Sequence, residues 1–130
     1  MIKKFTLGKD ERLKSRKQIE ELFAQGQKFS SGFFRVHFLI NNSAGSALQF
    51  GISVSNKHFK KAVDRNKIKR LAREAWRLQK NELKDKLSAS GKHMDIFLVY
   101  TGKTIAVYSE VVEAIRKIIN KLYKNSTDPG

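Results

Sequence analysis

Residues 65–79 have the pattern of a helix with one strongly basic face, and this feature limits the fold more than any other in the chain. At about 100° per residue, the apolar side chains fall within about 120° of one another. They are Ile68, Leu71, Ala72, Ala75 and Leu78. The opposite face carries Arg65, Lys69, Arg73 and Arg77 at four-residue steps, joined by Asn66 and Arg70, and Trp76 lies on the border. The pattern predicts a helix that packs on a core by one side only.

The charge on this segment is concentrated at a place that does not favour helix stability. Residues 56–80 contain ten Lys or Arg and two acidic residues, so this stretch carries +8 of the chain's net +15. Lys60, Lys61 and Arg65 stand near the N-terminal end, where the helix dipole already supplies about half a positive charge. A helix N-terminus surrounded by cations is a strong site for phosphate groups. The alternative is a merely solvated face, which would be expected to carry interspersed Glu.

The composition favours a polyanionic partner. The 130 residues suit a single domain, residues 1–130, with 27 Lys and Arg against 12 Asp and Glu. So large a net charge indicates nucleic acid or an anionic membrane face as the partner. There is no Cys, which excludes disulfides and thiolate metal sites. Neither a signal peptide nor an apolar run of roughly 18 residues is recognisable, so we expect a soluble, cytoplasmic protein.

Hydrophobic periodicity predicts the remaining elements. Residues 1–14 are expected to form an irregular basic arm, and residues 125–130 a frayed tail. The first helix is predicted at 15–25, with Ser15 and Gln18 at capping spacing and Gly26 as the stop. A second helix is predicted at about 64–83, with Asp64 as the cap, and a third from Ser109 onwards. Strands are predicted at 32–40, 48–55 and 95–100, with a weaker one at 28–30. The link at 41–47 indicates an antiparallel hairpin between its flanking strands. The order α-β-β-β-α-β-α predicts a two-layer α+β sandwich with a mostly antiparallel sheet.

Side chains capable of catalysis are scattered along the chain. His37, His58 and His93 lie on different elements without the spacing of metal ligands, and no paired acidic residues suit a two-metal nuclease. The chain by itself is therefore expected to be inactive. Most of the aromatic side chains are expected to lie in the core, except for any on the sheet face under the first helix; they are Phe29, Phe33, Phe34, Phe38 and Phe50.

Residues 51–77, GISVSNKHFKKAVDRNKIKRLAREAWR, resemble the signature segment of the bacterial ribonuclease P protein family, with its Gly-led strand, basic crossover and Arg-Asn-Arg helix. Weaker similarity covers RLKS near the start, the helix before Gly26, MDIFLVY and the closing helix. Lys67 stands where the third motif residue is usually Arg. Ile19 occupies a position where the family often has a second stacking Phe, and His37 one where some members have Tyr. The resemblance also implies a left-handed crossover.

The resemblance implies a ribonucleoprotein that removes the 5′ leader of precursor tRNA by Mg²⁺-dependent hydrolysis. The RNA subunit and the substrate would hold most of the Mg²⁺, and neither a membrane nor a small-molecule substrate would be involved. The signature helix would bind the RNA subunit through Arg65, Asn66, Lys67, Lys69, Arg70 and Arg73. The leader would lie in a cleft between the first helix and the sheet, lined by Phe23, Phe34, His37, Lys57 and Arg12.

Three other functions fit parts of the pattern. A structural protein of another ribonucleoprotein, such as the ribosome, would share the charge but would need no aromatic cleft. A membrane-surface protein would have to insert the apolar face of helix 65–80 into lipid, which would leave the sheet without a cover. A nuclease active without RNA would need catalytic side chains that the sequence does not bring together.

Overall fold

A computed structural model describes residues 11–41 and 47–126. Residues 1–10 of the predicted arm, 42–46 of the predicted turn and 127–130 of the predicted tail lie outside these ranges. The elements are α1 (Arg16–Gln25), β1 (Gln27–Ser31), β2 (Phe34–Asn41), β3 (Leu48–Val54), α2 (Ala62–Gln79), α3 (Asn81–Ala89), β4 (His93–Tyr100) and α4 (Tyr108–Ser126). This order confirms the α+β sandwich and adds one helix, α3, to the predicted series.

The strands form one mixed sheet in the order β1-β2-β4-β3. The pairs β1–β2 and β2–β4 are antiparallel, whereas β3 and β4 are parallel. The predicted hairpin between β2 and β3 is therefore wrong, because β4 lies between them. Sequence adjacency favoured the hairpin, but a parallel neighbour for β3 requires a long crossover, which α2 and α3 supply. The hand of that crossover stays a prediction.

The two faces of the sheet are covered unequally. Alternate residues of every strand point to a core that α2 and α4 close, where the rings of Phe50 and Trp76 stack at 4.5 Å between centroids. The helix α1 lies on the opposite face, against β2 and β4. We call this the α1 face. One short helix cannot cover four strands, so part of the α1 face stays open to solvent.

Local sequence sets the limits of α1 as predicted. Ser15 is the N-cap, and its side-chain oxygen accepts a hydrogen bond from the backbone N–H of Gln18 at 3.3 Å. Gly26 ends the helix and donates its N–H to the carbonyl of Leu22 at 2.8 Å. A Cβ on Gly26 would lie 2.7 Å from the carbonyl oxygen of Phe38, so only glycine lets the chain turn this closely onto β2.

The long basic helix differs from its predicted form at both ends. Its N-cap is Lys61, which makes no side-chain capping bond, and Asp64 lies inside the first turn instead of capping it. The helix stops at Gln79, and α3 begins two residues later. Trp76 is fully buried instead of lying on a border, whereas Leu78 is 44% exposed. The helical periodicity of the sequence placed these two side chains incorrectly, because the sheet covers a different side of the helix.

The two ends of the described chain are more ordered than predicted. Glu11 and Leu13 of the arm are buried, and Leu13 donates its N–H to the carbonyl of Phe50 at 2.9 Å. At the other end, α4 continues to Ser126, whose hydroxyl donates to the carbonyl of Tyr123 at 2.7 Å. The weak strand predicted at 28–30 is present as β1.

Candidate nucleic-acid interface

The outward side of α2 forms the first basic surface. Asn66, Lys67, Arg70 and Arg73 are exposed along it, and Lys69 is half-buried at its edge. The inward side is anchored by the buried residues Ile68, Ala72, Ala75 and Trp76. Burial of the apolar side leaves the cations free to face a partner, and Asp64 is the only acidic residue in the first turn. We call this surface the α2 basic face.

Arg65 stands apart from the other motif residues. Its Nη1 donates to the carbonyl of Phe59 at 2.7 Å and to that of Lys60 at 2.9 Å. The guanidinium thus braces the loop between β3 and α2 and holds it against the first turn of the helix. The sequence predicted Arg65 as an RNA ligand but did not indicate that it also holds the loop before α2 by these hydrogen bonds.

The second surface is built on the α1 face by three aromatic side chains. The ring centroid of Phe23 lies 4.5 Å from that of His37 and 5.4 Å from that of Phe97, with edge-on geometry in both pairs. His37 and Phe97 are direct partners across β2 and β4. Phe23 is 47% exposed although it is a large apolar residue. Phe23, His37 and Phe97, the aromatic trio, therefore offer ring surface to solvent at the centre of the sheet.

A glycine in β3 lets the ring of Phe97 lie across the neighbouring strand. Gly51 is the register partner of Phe97 on β3, and a Cβ on Gly51 would come within 2.7 Å of the Phe97 ring. Any larger residue would push the ring away from the strand. The close approach of Phe97 to Gly51 extends the aromatic surface towards β3.

Cations flank the aromatic trio on the β1 side. Lys28 is the register partner of His37, and Arg35 lies two residues before His37 on the same face of β2. Burial, followed by the nearby charges of Arg35 and Lys28, lowers the pKa of His37. The imidazole is therefore neutral at pH 7 and can serve as an aromatic surface or as a hydrogen-bonding group.

A second group of cations flanks the trio on the β3 side. A cavity of about 100 Å³ opens there, and its walls include Arg12, Lys14, Arg73 and Phe97. Burial, and then the neighbouring charge of Arg12, lowers the pKa of Arg73. We call this cavity the arginine pocket. The pocket joins the α2 basic face to the aromatic trio, because Arg73 of that face and Phe97 of the trio both line it.

Two predicted cleft residues lie elsewhere. Phe34 is 1% exposed on the core side of the sheet, where its ring centroid is 5.5 Å from that of Tyr100. Its placement in the cleft is wrong, because β2 alternates and Phe34 must face away from His37. Lys57 is exposed in the loop after β3, at the end of the sheet where Arg35 pairs with Val99.

Four residues of the α1 face were not predicted from the sequence. Lys14, Lys28, Arg35 and Phe97 each needed the sheet register or the path of the arm to be placed. The alternation of β2 places both His37 and Arg35 outside the core, so the position of Arg35 could have been predicted from the sequence. Phe97 lies in an apolar run, DIFLVY, in which both faces look buried.

No group of three or more His, Cys, Asp or Glu side chains comes together within residues 11–41 and 47–126 to hold a metal ion. His93 and Asp95 form a buried pair with 2.6 Å between Nε2 and Oδ1. This pair ties the start of β4 together.

None of the helices in the described ranges is long and apolar enough to cross a membrane. The apolar side of α2 is covered by the sheet, as the stack of Trp76 on Phe50 shows. A membrane-surface function would need that side free, so the structure disfavours it.

Comparisons with known proteins agree on one family. The family model described as ribonuclease P matches residues 7–123. The ribonuclease P protein component of Porphyromonas gingivalis is 32% identical over 122 residues, covering 93% of this chain and 89% of that one. The corresponding protein of Syntrophus aciditrophicus is 30% identical over 127 residues, covering 97% and 98% of the two chains.

Solved structures give the same result for the fold. The ribonuclease P protein of Thermotoga maritima superposes with a TM-score of 0.67 at 27% identity, covering 85% of this chain and 96% of that one. The Staphylococcus aureus protein, at 24% identity and a TM-score of 0.71 over 89% and 97% of the two chains, supports the fold alone. With a family model matched over most of its length and relatives of similar size at this identity, the chain belongs to the ribonuclease P protein family.

Proposed function

We propose that this protein uses its two surfaces for two RNAs of one enzyme. Family membership makes the chain the RNA-binding subunit of ribonuclease P. In our proposal the α2 basic face binds the catalytic RNA subunit, and the α1 face binds the 5′ leader of precursor tRNA. The observation that carries the second assignment is the half-exposed aromatic trio between two groups of cations.

Contact with the RNA subunit follows from the charge on α2. The side chains of Lys67, Arg70 and Arg73 project from α2. The N-cap residue Lys61 makes no side-chain capping bond, so backbone N–H groups of the first turn are available to phosphate oxygens. Lys69 and Asn66 add donors at the sides. Lys67 replaces the Arg of the usual motif and binds phosphate as a point charge, without the bidentate geometry of a guanidinium. Arg65 contributes by fixing the preceding loop and presents its remaining N–H groups to the RNA.

Contact with the leader combines stacking and charge. Phe23 and Phe97 supply ring faces for unpaired bases, and each stacked base contributes about 1–3 kcal/mol. His37, neutral at pH 7, adds a hydrogen-bonding edge between the rings. Lys28 and Arg35 on one side and the arginine pocket on the other attract the phosphates, and adjacent strands about 4.8 Å apart set the path across the sheet. A single strand fits this surface, whereas the bases of a duplex would be stacked inside it.

Hydrolysis of the phosphodiester bond, which yields the mature tRNA 5′ end, is assigned in this proposal to the RNA subunit and to Mg²⁺ held mainly by that RNA and the substrate. The protein chain binds and orients the leader and transfers no proton, so it is inactive alone. Processing of tRNA by such a ribonucleoprotein takes place in the cytoplasm, where we place this protein. No small-molecule substrate and no membrane enter the proposal.

Reconstitution with a bacterial ribonuclease P RNA tests the proposal. Addition of the chain at low Mg²⁺ should increase cleavage of precursor tRNA, and affinity should rise for precursor tRNA more than for mature tRNA. The RNA-free chain should cleave neither. A structural protein of another ribonucleoprotein would bind RNA with similar salt dependence but would leave both the cleavage and the precursor preference unchanged.

A further inference from the structure

Glu11 occupies an unusual position for a carboxylate near the start of so basic a chain. It is buried at the junction of α2 and α3, and its Oε2 accepts hydrogen bonds from Lys80 Nζ at 2.9 Å and Lys84 Nζ at 2.7 Å. Lys80 is itself 2% exposed. The arm is thus attached to residues about seventy positions away, at the point where one helix stops and the next begins.

The following residues continue this attachment along the edge of the sheet. Leu13 is buried and donates its N–H to the carbonyl of Phe50, and Arg12 pairs with Phe50 as a parallel bridge to β3. Glu11 and Leu13 are buried, whereas Arg12 between them is exposed. The arm is fixed on both sides of Arg12, and Arg12 reaches the arginine pocket as a result.

Arg12 needs this support because the pocket is uniformly cationic. Arg12, Lys14 and Arg73 share its walls, and the charge of Arg12 contributes to the lowered pKa of Arg73. None of the described residues that line the pocket is acidic. An unattached arm would move Arg12 away from Arg73 to relieve repulsion. The carboxylate of Glu11 is next to Arg12 in the chain but is held by lysines outside the pocket, so it fixes the arm without neutralising the site.

We propose that Glu11 is a positioning residue for leader binding: its ion pairs with Lys80 and Lys84 hold Arg12 and Lys14 beside Arg73, so that the arginine pocket is ready to receive one leader phosphate. This inference rests on the proposed function of the α1 face. Preorganised donors bind a phosphate more tightly than donors that must first be brought together, so the loss of Glu11 weakens binding without removing any group that touches RNA.

Glu11→Gln tests the proposal, because it keeps the shape of the side chain and removes its charge. In the reconstituted enzyme, this substitution should lower the ratio of precursor to mature tRNA affinity about fivefold. Arg12→Ala removes a charge-assisted contact to phosphate and should lower the same ratio roughly tenfold or more. Combining Glu11→Gln with Arg12→Ala should give a fall smaller than the product of the two single falls, because Glu11 acts in part through Arg12. Binding of the RNA subunit should be unchanged. Glu82→Gln, an exposed carboxylate of α3 with the same charge change, is the matched control and should leave the ratio at the wild-type value.

Stability must be separated from positioning, because Glu11→Gln leaves Lys80 buried without a carboxylate. The double variant Glu11→Gln with Lys80→Met removes the buried charges together, a change that generally restores stability. It should melt near the wild-type temperature and still show the fivefold fall. A wild-type ratio in this double variant, or additive effects of Glu11→Gln and Arg12→Ala, would overturn the role of Glu11. A wild-type ratio in Arg12→Ala would instead overturn leader binding at the pocket, so the two failures are distinguishable.

Discussion

Replacement of Phe23 by Ala tests the aromatic trio, because Phe23 is its most exposed ring. A buried Phe loses about 3–5 kcal/mol of stability on truncation, so a ring that is 47% exposed should lose about 2 kcal/mol. At about 4 °C per kcal/mol for a chain of this size, the melting temperature should fall by about 8 °C. The domain should therefore remain folded at 25 °C, and RNA binding can be measured on native protein.

The effect on binding should be selective. Loss of one stacked base at about 1–3 kcal/mol predicts that the affinity of the reconstituted enzyme for precursor tRNA falls about five- to 150-fold. Affinity for mature tRNA, which has no leader, should not change, and neither should assembly with the RNA subunit, because the α2 basic face is untouched.

Phe29→Ala is the matched control for this substitution. Phe29 is a partly buried ring on the opposite side of the sheet, 5.9 Å from Phe38, so its loss should lower the melting temperature but leave the precursor preference intact. The reasoning would be refuted if Phe23→Ala and Phe29→Ala gave the same precursor-to-mature ratio. It would also be refuted if Phe23→Ala weakened both tRNAs equally in proportion to its loss of stability.

Three further predictions concern other parts of the molecule. Phe34→Ala should destabilise the domain by about 3–5 kcal/mol in urea unfolding, because its ring is in the core, and once folded it should keep the precursor preference. Arg70→Ala should weaken binding to the RNA subunit and reduce the slope of log affinity against log salt by about one, with no change in melting temperature. Because the pKa of His37 is lowered, the unfolded chain takes up this proton first as the pH falls below the ordinary value of about 6.5. The stability of the wild type should therefore decrease relative to that of His37→Gln below that pH, and the difference between the two should be constant above pH 7, in thermal melts across pH 5–8.

The sequence predicted those features that depend on near neighbours. The N-cap at Ser15, the stop at Gly26 and the amphipathic character of α2 all follow from residues within one or two turns. The basic side of α2 was found for the same reason, since the four-residue spacing from Arg65 puts Arg73 away from the core. These local patterns were enough to predict the α+β class.

The features that the sequence missed depend on distant contacts. The insertion of β4 between β2 and β3 cannot be read from strand patterns, and the hairpin was predicted in its place. The break between α2 and α3 falls at Lys80, which looks like an ordinary helical residue until Glu11 of the arm is placed against it. Phe97 joined the site only through its register with His37. Phe34 is a different case, because the alternation of β2 already separates it from His37, and only the resemblance implied a place for it in the cleft.

The location of the leader is the central claim, and photo-crosslinking measures it directly. A precursor tRNA with a photoreactive uridine analogue in the leader would be bound to the reconstituted enzyme, irradiated and digested to peptides. Crosslinks should fall on peptides from α1, β2 and β4 that contain Phe23, His37 or Phe97, and should be lost when the leader is removed. Leader crosslinks confined to the exposed sides of α2 or α4, with none on these three peptides, would contradict the account.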